Sequence, residues 1–241
     1  MGVPLLSCVI LAGGRSRRMG TDKALLKLPD GQSLLSRTVE IARRLCLSSE
    51  DSREPNIAIV TPWPDRYQSI IRSPVCWIED KQEEGPLVGF SQAWSGVQSN
   101  VWPEIQSDVR SDIQPKIQSD WSLLLACDLP NLDEQVLSRW WQWLVSTTAH
   151  LGSELPEASL VMRNQRWEPL CGYYHHRCID SMKKYLMKSD ASRLNPRQER
   201  QSHRDFQSWL STLNIATYSD VPNDMLFNCN RPVDWAKVVG K

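Results

Sequence analysis

The sequence lacks the features that mark several large classes of protein. Its 28 Lys and Arg residues balance 28 Asp and Glu residues, so the total charge gives no sign of a nucleic-acid partner or a charged membrane surface. No apolar stretch approaches the roughly 20 residues that span a bilayer. The apolar segment at residues 5–11 also lacks the basic region and cleavage site of a signal peptide. We therefore expect a protein that binds neither nucleic acid nor membrane.

Paired cysteine motifs are missing as well. The seven cysteines are an odd number and are scattered singly along the chain, which favours reduced thiols and a cytoplasmic location. The 241 residues, of which 41% are hydrophobic, suit one domain spanning residues 1–241. Within it, residues 99–120 repeat a short polar unit and are poor in core residues. We interpret this segment as a mobile surface insertion.

Two common phosphate-binding signatures are absent from residues 9–26. Lys23 follows an aspartate instead of a glycine, which excludes a Walker A loop, and the glycines do not follow the G-x-G-x-x-G spacing. The stretch nevertheless has the composition of a phosphate site, because an apolar run ends at Gly13-Gly14 and glycine lets backbone N–H groups approach an anion. Four cations follow closely: Arg15, Arg17, Arg18 and Lys23. Together these features predict a polyphosphate site, and the alternative is a solvated basic loop.

Apolar runs typical of strands alternate with helical patterns along the chain. We predict strands at 5–11, 56–61, 75–78, 121–126 and 215–218, and a hairpin at 159–174. The predicted helices cover 33–45, 65–72, 86–97, 133–145, 178–187, 206–213 and a short closing segment after 235, with a polar loop at 188–203. This alternation indicates an α/β fold with a mainly parallel sheet, helices on both faces and one antiparallel hairpin.

Chemically informative residues follow four of these strands. They are Gly13-Gly14, Thr61, Asp80 and Asp128. Ligands of open α/β sheets bind beyond the carboxyl ends of the strands, so we expect these residues on one edge. Asp128 could hold Mg²⁺ on a triphosphate or could cap a helix, and Thr61 and Asp80 could contact a base or ribose or serve only locally.

The segment Leu11-Ala-Gly-Gly-Arg-Ser-Arg-Arg-Met-Gly-Thr-Asp-Lys-Ala-Leu-Leu26 closely resembles the signature of molybdenum cofactor guanylyltransferases. Later landmarks follow in the order of that family. They are Ile78-Glu-Asp80, Gly85-Pro-Leu87, Cys127-Asp-Leu-Pro130, Glu168-Pro-Leu170 and Asn228-Cys-Asn-Arg-Pro232. The resemblance implies a three-layer α/β/α Rossmann-like nucleotidyltransferase fold, with GTP and molybdenum-molybdopterin as substrates, Mg²⁺ as cofactor and pyrophosphate as product. It also implies a monomer that could meet molybdoenzymes or other cofactor-biosynthesis proteins.

The resemblance further implies roles for individual residues. Lys23 and Arg18 would contact the phosphates, and Asp128 would bind both the nucleotide and Mg²⁺, which makes these three the catalytic residues. Asn230 would be the second metal contact, with Asn228 as the alternative. The nucleotide would be bound by Leu11, Ala12, Gly13, Gly14, Lys23, Thr61, Asp80 and Asp128. The family often has asparagine where this chain has Thr61, and Pro169-Leu170 matches a segment beside the pterin region.

Two other functions remain open at this point. Cytidylyltransferases and sugar-phosphate nucleotidylyltransferases have a similar first loop, although relatives that use CTP often carry Leu-Ala-Ala-Gly where this chain has Leu-Ala-Gly-Gly at residues 11–14. A non-catalytic protein that binds GTP or pterin and delivers cofactor is the other alternative. The presence of both Lys23 and Asp128 favours an enzyme.

Overall fold

The structure is a computed structural model that describes residues 4–13, 19–47, 56–81, 84–99, 119–193 and 205–240. Most of the predicted surface insertion, residues 100–118, lies outside these ranges. Among the described helices, none is long and apolar enough to cross a bilayer. All seven cysteines are free thiols, as the sequence predicts.

A seven-stranded sheet forms the centre of the fold, in the order β3-β2-β1-β4-β6-β5-β7. Strands β1 to β4 pair in parallel, β6 runs antiparallel to both β4 and β5, and β7 pairs in parallel with β5. This arrangement confirms the mainly parallel sheet with an antiparallel hairpin. The strands are β1 (Leu6–Leu11), β2 (Ile57–Thr61), β3 (Cys76–Glu79), β4 (Trp121–Ala126), β5 (Ala158–Arg163), β6 (Arg166–His175) and β7 (Ile215–Thr217).

Seven α-helices connect or flank these strands. They are α1 (Leu34–Leu47), α2 (Pro64–Gln68), α3 (Pro86–Ser99), α4 (Glu134–Thr148), α5 (Cys178–Arg193), α6 (Phe206–Leu210) and α7 (Pro232–Val239).

The helices that differ most in length from the sequence prediction are α2, α5 and α6. Helix α7 also begins earlier than predicted, at Pro232, because proline suits the first position of a helix. Helix α2 ends before Ile70 and Ile71, which turn back to pack against the core. Helix α6 ends at Leu210 instead of 213, in a turn where the N–H groups of Thr212 and Leu213 donate to Trp209 and Leu210. Helix α5 continues to Arg193 through the start of the predicted loop. Polarity was a misleading signal there, because residues 188–193 contain neither proline nor glycine to end a helix.

Successive residues of the strands face opposite layers of the molecule. Cys8 and Ile10 of β1 pack with α1 and α4, whereas Val9 packs with α3, α5 and α6 on the other face. This period of two follows from the pleat of a strand. Trp140 is fully buried in the first layer and Trp94 in the second, so core packing accounts for part of the high tryptophan content. The predicted α/β/α architecture is therefore confirmed.

His175 lies in the core at the end of β6, opposite the predicted nucleotide edge. Its Nδ1 accepts a hydrogen bond of 3.2 Å from the backbone N–H of Arg177, which requires the unprotonated nitrogen. The ring also packs edge-on against Trp121 at 4.9 Å. Burial, with smaller contributions from the neighbouring His176 and Arg177, lowers the pKa of His175 to about 3. The imidazole is therefore neutral at physiological pH.

Acid is expected to destabilise the fold through His175. In the unfolded chain an imidazole takes up a proton at about pH 6.5, whereas the folded chain resists protonation down to about pH 3. Because the unfolded state binds more protons between these values, the free energy of unfolding should fall as pH is lowered below about 6.5. Urea unfolding at pH 7.5, 6.0 and 5.0 measures this slope.

The His175→Asn variant removes the titrating group and should flatten the slope, although it costs stability at pH 7.5. The exposed His150 provides the matched control, since His150→Asn should leave the slope unchanged. Equal pH dependence in His175→Asn and the wild type would contradict the assignment.

Candidate active site

The carboxyl ends of the central strands meet at one edge, as their parallel pairing requires. The backbone N–H of Ala12 donates to the carbonyl of Val60 at 2.9 Å, and Cys127 donates to Leu11 at 3.1 Å. These bonds extend the β1 pairings with β2 and β4 by one residue beyond the strands. The segments that follow β1, β2 and β4 therefore line a common edge of the sheet.

Asp80 lies against two glycines on the β1–β3 side of this edge. Its N–H donates to the Thr61 carbonyl at 3.0 Å. A Cβ atom at Gly13 would lie 4.0 Å from the Asp80 Oδ2, and one at Gly89, in the first turns of α3, would lie 3.9 Å from it. The glycine at 89 also avoids Val60, whose Cγ1 would be only 3.3 Å from the added atom. Because Gly13 and Gly89 have no side chains, their backbone lies close to the Asp80 carboxylate.

Lys23, Asp128 and Asn230 come together on the β4 side of the same edge. The Lys23 ammonium donates to Asn230 Oδ1 at 2.7 Å and to Asp128 Oδ2 at 3.3 Å. Asn230 is 207 residues from Lys23 in sequence. The side chains of Lys23 and Asp128 remain 17% and 21% exposed, so ligands can reach them. A cation and two oxygen ligands predicted separately from the sequence therefore form one cluster.

The loop that carries Asn230 is fastened to the end of β4. The N–H of Cys229 donates to the Asp128 carbonyl at 3.1 Å. The N–H groups of Asn230 and Arg231 both donate to Asp234 Oδ2, at 3.1 and 2.9 Å, at the start of α7. These bonds orient the Asn230 side chain toward Lys23, and they favour Asn230 over Asn228 as the partner of Asp128.

The two cysteines beside Asp128 are poor nucleophiles. Burial raises the pKa of the Cys127 thiol, and the Asp128 and Asp22 carboxylates raise it further. Burial, followed by the Asp234 and Asp128 carboxylates, likewise raises the pKa of Cys229 to about 11. Both thiols stay protonated at neutral pH, and the thiolate is the reactive form. The arrangement thus suits binding and charge stabilisation better than covalent catalysis by cysteine.

Asp22 is a part of the site to which the sequence analysis assigned no role. Its Oδ1 accepts from the Ala24 N–H at 3.1 Å and caps the short 3₁₀ turn Lys23–Leu25. Its Oδ2 accepts from the Tyr67 hydroxyl at 2.8 Å and from Arg66 Nη1 at 3.1 Å. An aspartate directly before a short helical turn is a recognised capping signal. The partners on α2, more than 40 residues away, carry no such signal.

Thr61, predicted as a nucleotide contact, lies at the end of β2. Its side chain is fully buried, and its hydroxyl accepts a hydrogen bond of 3.2 Å from the N–H of Trp63. The Thr61 carbonyl accepts from Asp80. In this structure Thr61 therefore holds the β2–α2 turn and Asp80 in place.

The remaining predicted residues divide into two groups. Leu11 and Ala12 lie at the end of β1, where their backbone groups pair with the neighbouring segments. Gly14 and Arg18 fall outside the described residues, as do Arg15 and Arg17.

The predicted pterin segment lies next to the end of β4. Cys171 of β6 pairs with Leu125 of β4, so the preceding Pro169 and Leu170 approach the edge that carries Asp128. The Pro169 carbonyl accepts a hydrogen bond of 2.8 Å from the Tyr174 hydroxyl. This places the segment on the side of Asp128 away from Gly13 and Asp80.

The chemistry of the Lys23 cluster fits a divalent cation in part. Asp128 and Asn230 direct two oxygens at one point, which an ammonium group now contacts, and carboxylate and amide oxygens are ligands that Mg²⁺ accepts. Within the described segments there is no group of three or more His, Cys, Asp or Glu side chains suited to a metal. Mg²⁺ commonly binds through one or two protein ligands plus substrate phosphates. The residues are therefore sufficient for a metal that arrives with a nucleotide.

Comparison with known proteins gives a family match that covers most of the chain. Residues 8–202 match the profile of the MobA-like NTP transferase domain. The chain belongs to this family. Members of the family are nucleotidyltransferases, and the predicted enzyme class is confirmed.

Several relatives of this family resemble the chain over most of its length. A probable molybdenum cofactor guanylyltransferase of Synechococcus elongatus is 36% identical over 230 residues, which cover 95% of each chain. A probable molybdenum cofactor guanylyltransferase of a Nostoc species is 34% identical over 239 residues, covering 98% of this chain and 91% of the relative.

Solved structures support the fold. Molybdopterin-guanine dinucleotide biosynthesis protein A of Archaeoglobus fulgidus superposes with a TM-score of 0.62 at 18% identity, over 97% of both chains. A nucleotidyl transferase of Methanothermobacter superposes with a TM-score of 0.60 at 15% identity, over 98% of this chain and 96% of the other. These two structures therefore share the overall fold of this chain.

Proposed function

We propose that the protein transfers GMP from GTP to the terminal phosphate of molybdopterin carrying molybdenum, and so forms the guanine dinucleotide of the molybdenum cofactor and releases pyrophosphate. The observation that carries the proposal is the cluster of Lys23, Asp128 and Asn230 at the carboxyl edge of the sheet. The names of the relatives support the choice of acceptor. The Leu-Ala-Gly-Gly sequence at residues 11–14 supports guanine.

The proposal divides the edge into two parts. The nucleoside would lie over Leu11, Ala12 and Gly13, with Asp80 accepting hydrogen bonds from the base or ribose. The triphosphate would extend toward Lys23. Gly14 and Arg18 are proposed to complete the phosphate contacts from the segment that follows β1.

The reaction is a substitution at the α-phosphorus of GTP. An oxygen of the acceptor phosphate forms the new bond to phosphorus, and the bond to the β-phosphate oxygen breaks with its electron pair on pyrophosphate. Such chemistry depends on positioning and charge stabilisation. Since the acceptor phosphate is already ionised at neutral pH, neither a general base nor a covalent enzyme intermediate is needed.

Lys23 would stabilise the negative charge that develops on the transferred group and on pyrophosphate. Asp128 and Asn230 would hold Mg²⁺, which would supply further charge neutralisation when bound with the nucleotide. For that, the two oxygens must exchange the Lys23 ammonium for the metal. The Lys23 ammonium would then donate to the phosphates on the same edge.

A nucleotide competition tests the proposal. The purified protein is incubated with molybdopterin carrying molybdenum, Mg²⁺ and equal concentrations of GTP and CTP, and the dinucleotide products are identified by mass. The proposal predicts the guanine product together with pyrophosphate. A predominant cytosine product would contradict the guanine assignment, and GTP binding without any pyrophosphate release would indicate a delivery protein instead of an enzyme.

A further inference from the structure

Two hydrogen bonds connect the halves of the proposed site through one carboxylate. Asp22 precedes Lys23 and caps its turn through Oδ1, while Oδ2 accepts from the side chains of Tyr67 and Arg66 on α2. The α2 helix begins directly after the turn that the Thr61 hydroxyl holds through Trp63. The turn that presents Lys23 is therefore attached to the segment that supports Asp80.

The partners of Asp22 hold its carboxylate in one position. Tyr67 is fully buried, so its hydroxyl would be left without a comparable partner if the carboxylate moved away, and such a loss is costly. Arg66 is constrained as well, because its guanidinium stacks over the Trp63 ring at 4.5 Å from the centroid. Burial raises the pKa of Tyr67, and its hydrogen bond to Asp22 raises it further, so the hydroxyl remains a donor.

We infer that Asp22 and Tyr67 are positioning residues that set the place of the Lys23 ammonium relative to the nucleotide. The inference rests on the proposed role of Lys23 as a phosphate contact. Asp22 does not need to touch the substrate, since it acts through the turn that it caps. Without the bonds from Tyr67 and Arg66 to Asp22, Lys23 would still lie near Asp128 and Asn230. The position of its turn relative to the β2–α2 segment would no longer be fixed.

Tyr67→Phe is the cleanest test, because it removes one hydroxyl and leaves the Asp22 cap and its Arg66 partner in place. The probe is inorganic pyrophosphate with Mg²⁺, and its affinity is measured by calorimetry in the wild-type and Lys23→Ala backgrounds. We expect Tyr67→Phe to weaken binding about tenfold in the wild type, because the Lys23 turn loses one of the two side-chain bonds that fix it to α2 and a misplaced contact group commonly costs at least this much. In the Lys23→Ala background the same change should have less than a twofold effect.

Tyr173→Phe is the matched control. The Tyr173 hydroxyl is also buried and donates to a backbone carbonyl, that of Leu137, at 2.9 Å, but it lies in the core away from the edge. This variant should lose stability to a similar extent and keep wild-type pyrophosphate affinity. If Tyr67→Phe fails to fold, Asp22→Asn in the same two backgrounds provides the second cycle.

Equal losses of affinity in both backgrounds would overturn the inference, since Tyr67 and Asp22 would then act independently of Lys23. An unchanged affinity in Tyr67→Phe and Asp22→Asn would overturn it as well. The measurement needs neither GTP nor molybdopterin. A wild-type protein that binds pyrophosphate with this coupling but never transfers GMP would contradict only the proposed function.

Discussion

Replacement of Lys23 by alanine is expected to lower GMP transfer by about 100-fold or more, the usual cost of removing a group that stabilises transition-state charge. Lys23 is partly exposed and makes its described side-chain bonds to Asp128 and Asn230, so its removal should leave the core intact. Initial rates at saturating GTP and Mg²⁺, with thermal unfolding alongside, measure both effects.

Lys27 provides the matched control for this variant. It lies four residues further along and is exposed, and Lys27→Ala should retain wild-type turnover. Near wild-type turnover in Lys23→Ala would contradict the role of Lys23 in the reaction. A large fall in the unfolding temperature would show instead that Lys23 is needed for folding.

Replacement of Asp128 by asparagine is expected to cause a comparable loss, on the order of 100-fold, with a higher requirement for Mg²⁺. The substitution preserves shape but removes the charge that faces Lys23 at 3.3 Å and weakens a proposed metal ligand. Rates measured across a range of Mg²⁺ concentrations separate these effects, because excess metal should restore part of the activity only if Asp128 binds it.

Asp65→Asn is the corresponding control, since Asp65 is an exposed aspartate in the first turn of α2. It should show the wild-type Mg²⁺ profile. Asp128→Asn could instead lower the maximal rate without changing the Mg²⁺ concentration that gives half of it. That result would place Asp128 outside the metal site and leave it as a partner of Lys23 alone.

Much of the fold could be predicted because its signals are local. The apolar runs of β1, β2 and β4 end abruptly at glycine or polar residues, and the helices between them show a clear amphipathic period. Where local signals conflicted with context, the prediction was wrong. Polarity after residue 187 suggested a loop, yet α5 continues to Arg193, since polar residues without proline or glycine are compatible with a helix.

The sequence allowed the location of the site to be predicted, because the carboxyl ends of parallel strands meet at one edge of the sheet. That rule placed Gly13, Asp80 and Asp128 near one another without any knowledge of side-chain contacts. It could not show that Lys23 would contact Asn230, which depends on how the last loop returns to β4. It also could not show that the Thr61 side chain turns into the core and serves Trp63.

Only part of the role of Asp22 could be predicted from the sequence. Its capping role is readable from its place before Lys23, but its bonds to Arg66 and Tyr67 join residues 44 and 45 positions apart. Nothing in the pattern of α2 marks either residue as a partner. Contacts of this kind emerge only when helix and loop are packed on the same side of the sheet.

The fate of a phosphorus label tests the central claim most directly. The protein is incubated with Mg²⁺, molybdopterin and GTP carrying labelled phosphorus at either the α or the γ position. Substitution at the α-phosphorus predicts that the α label enters the guanine dinucleotide and that the γ label leaves as pyrophosphate. Release of the γ label as inorganic phosphate, with no α label in a dinucleotide, would contradict the account.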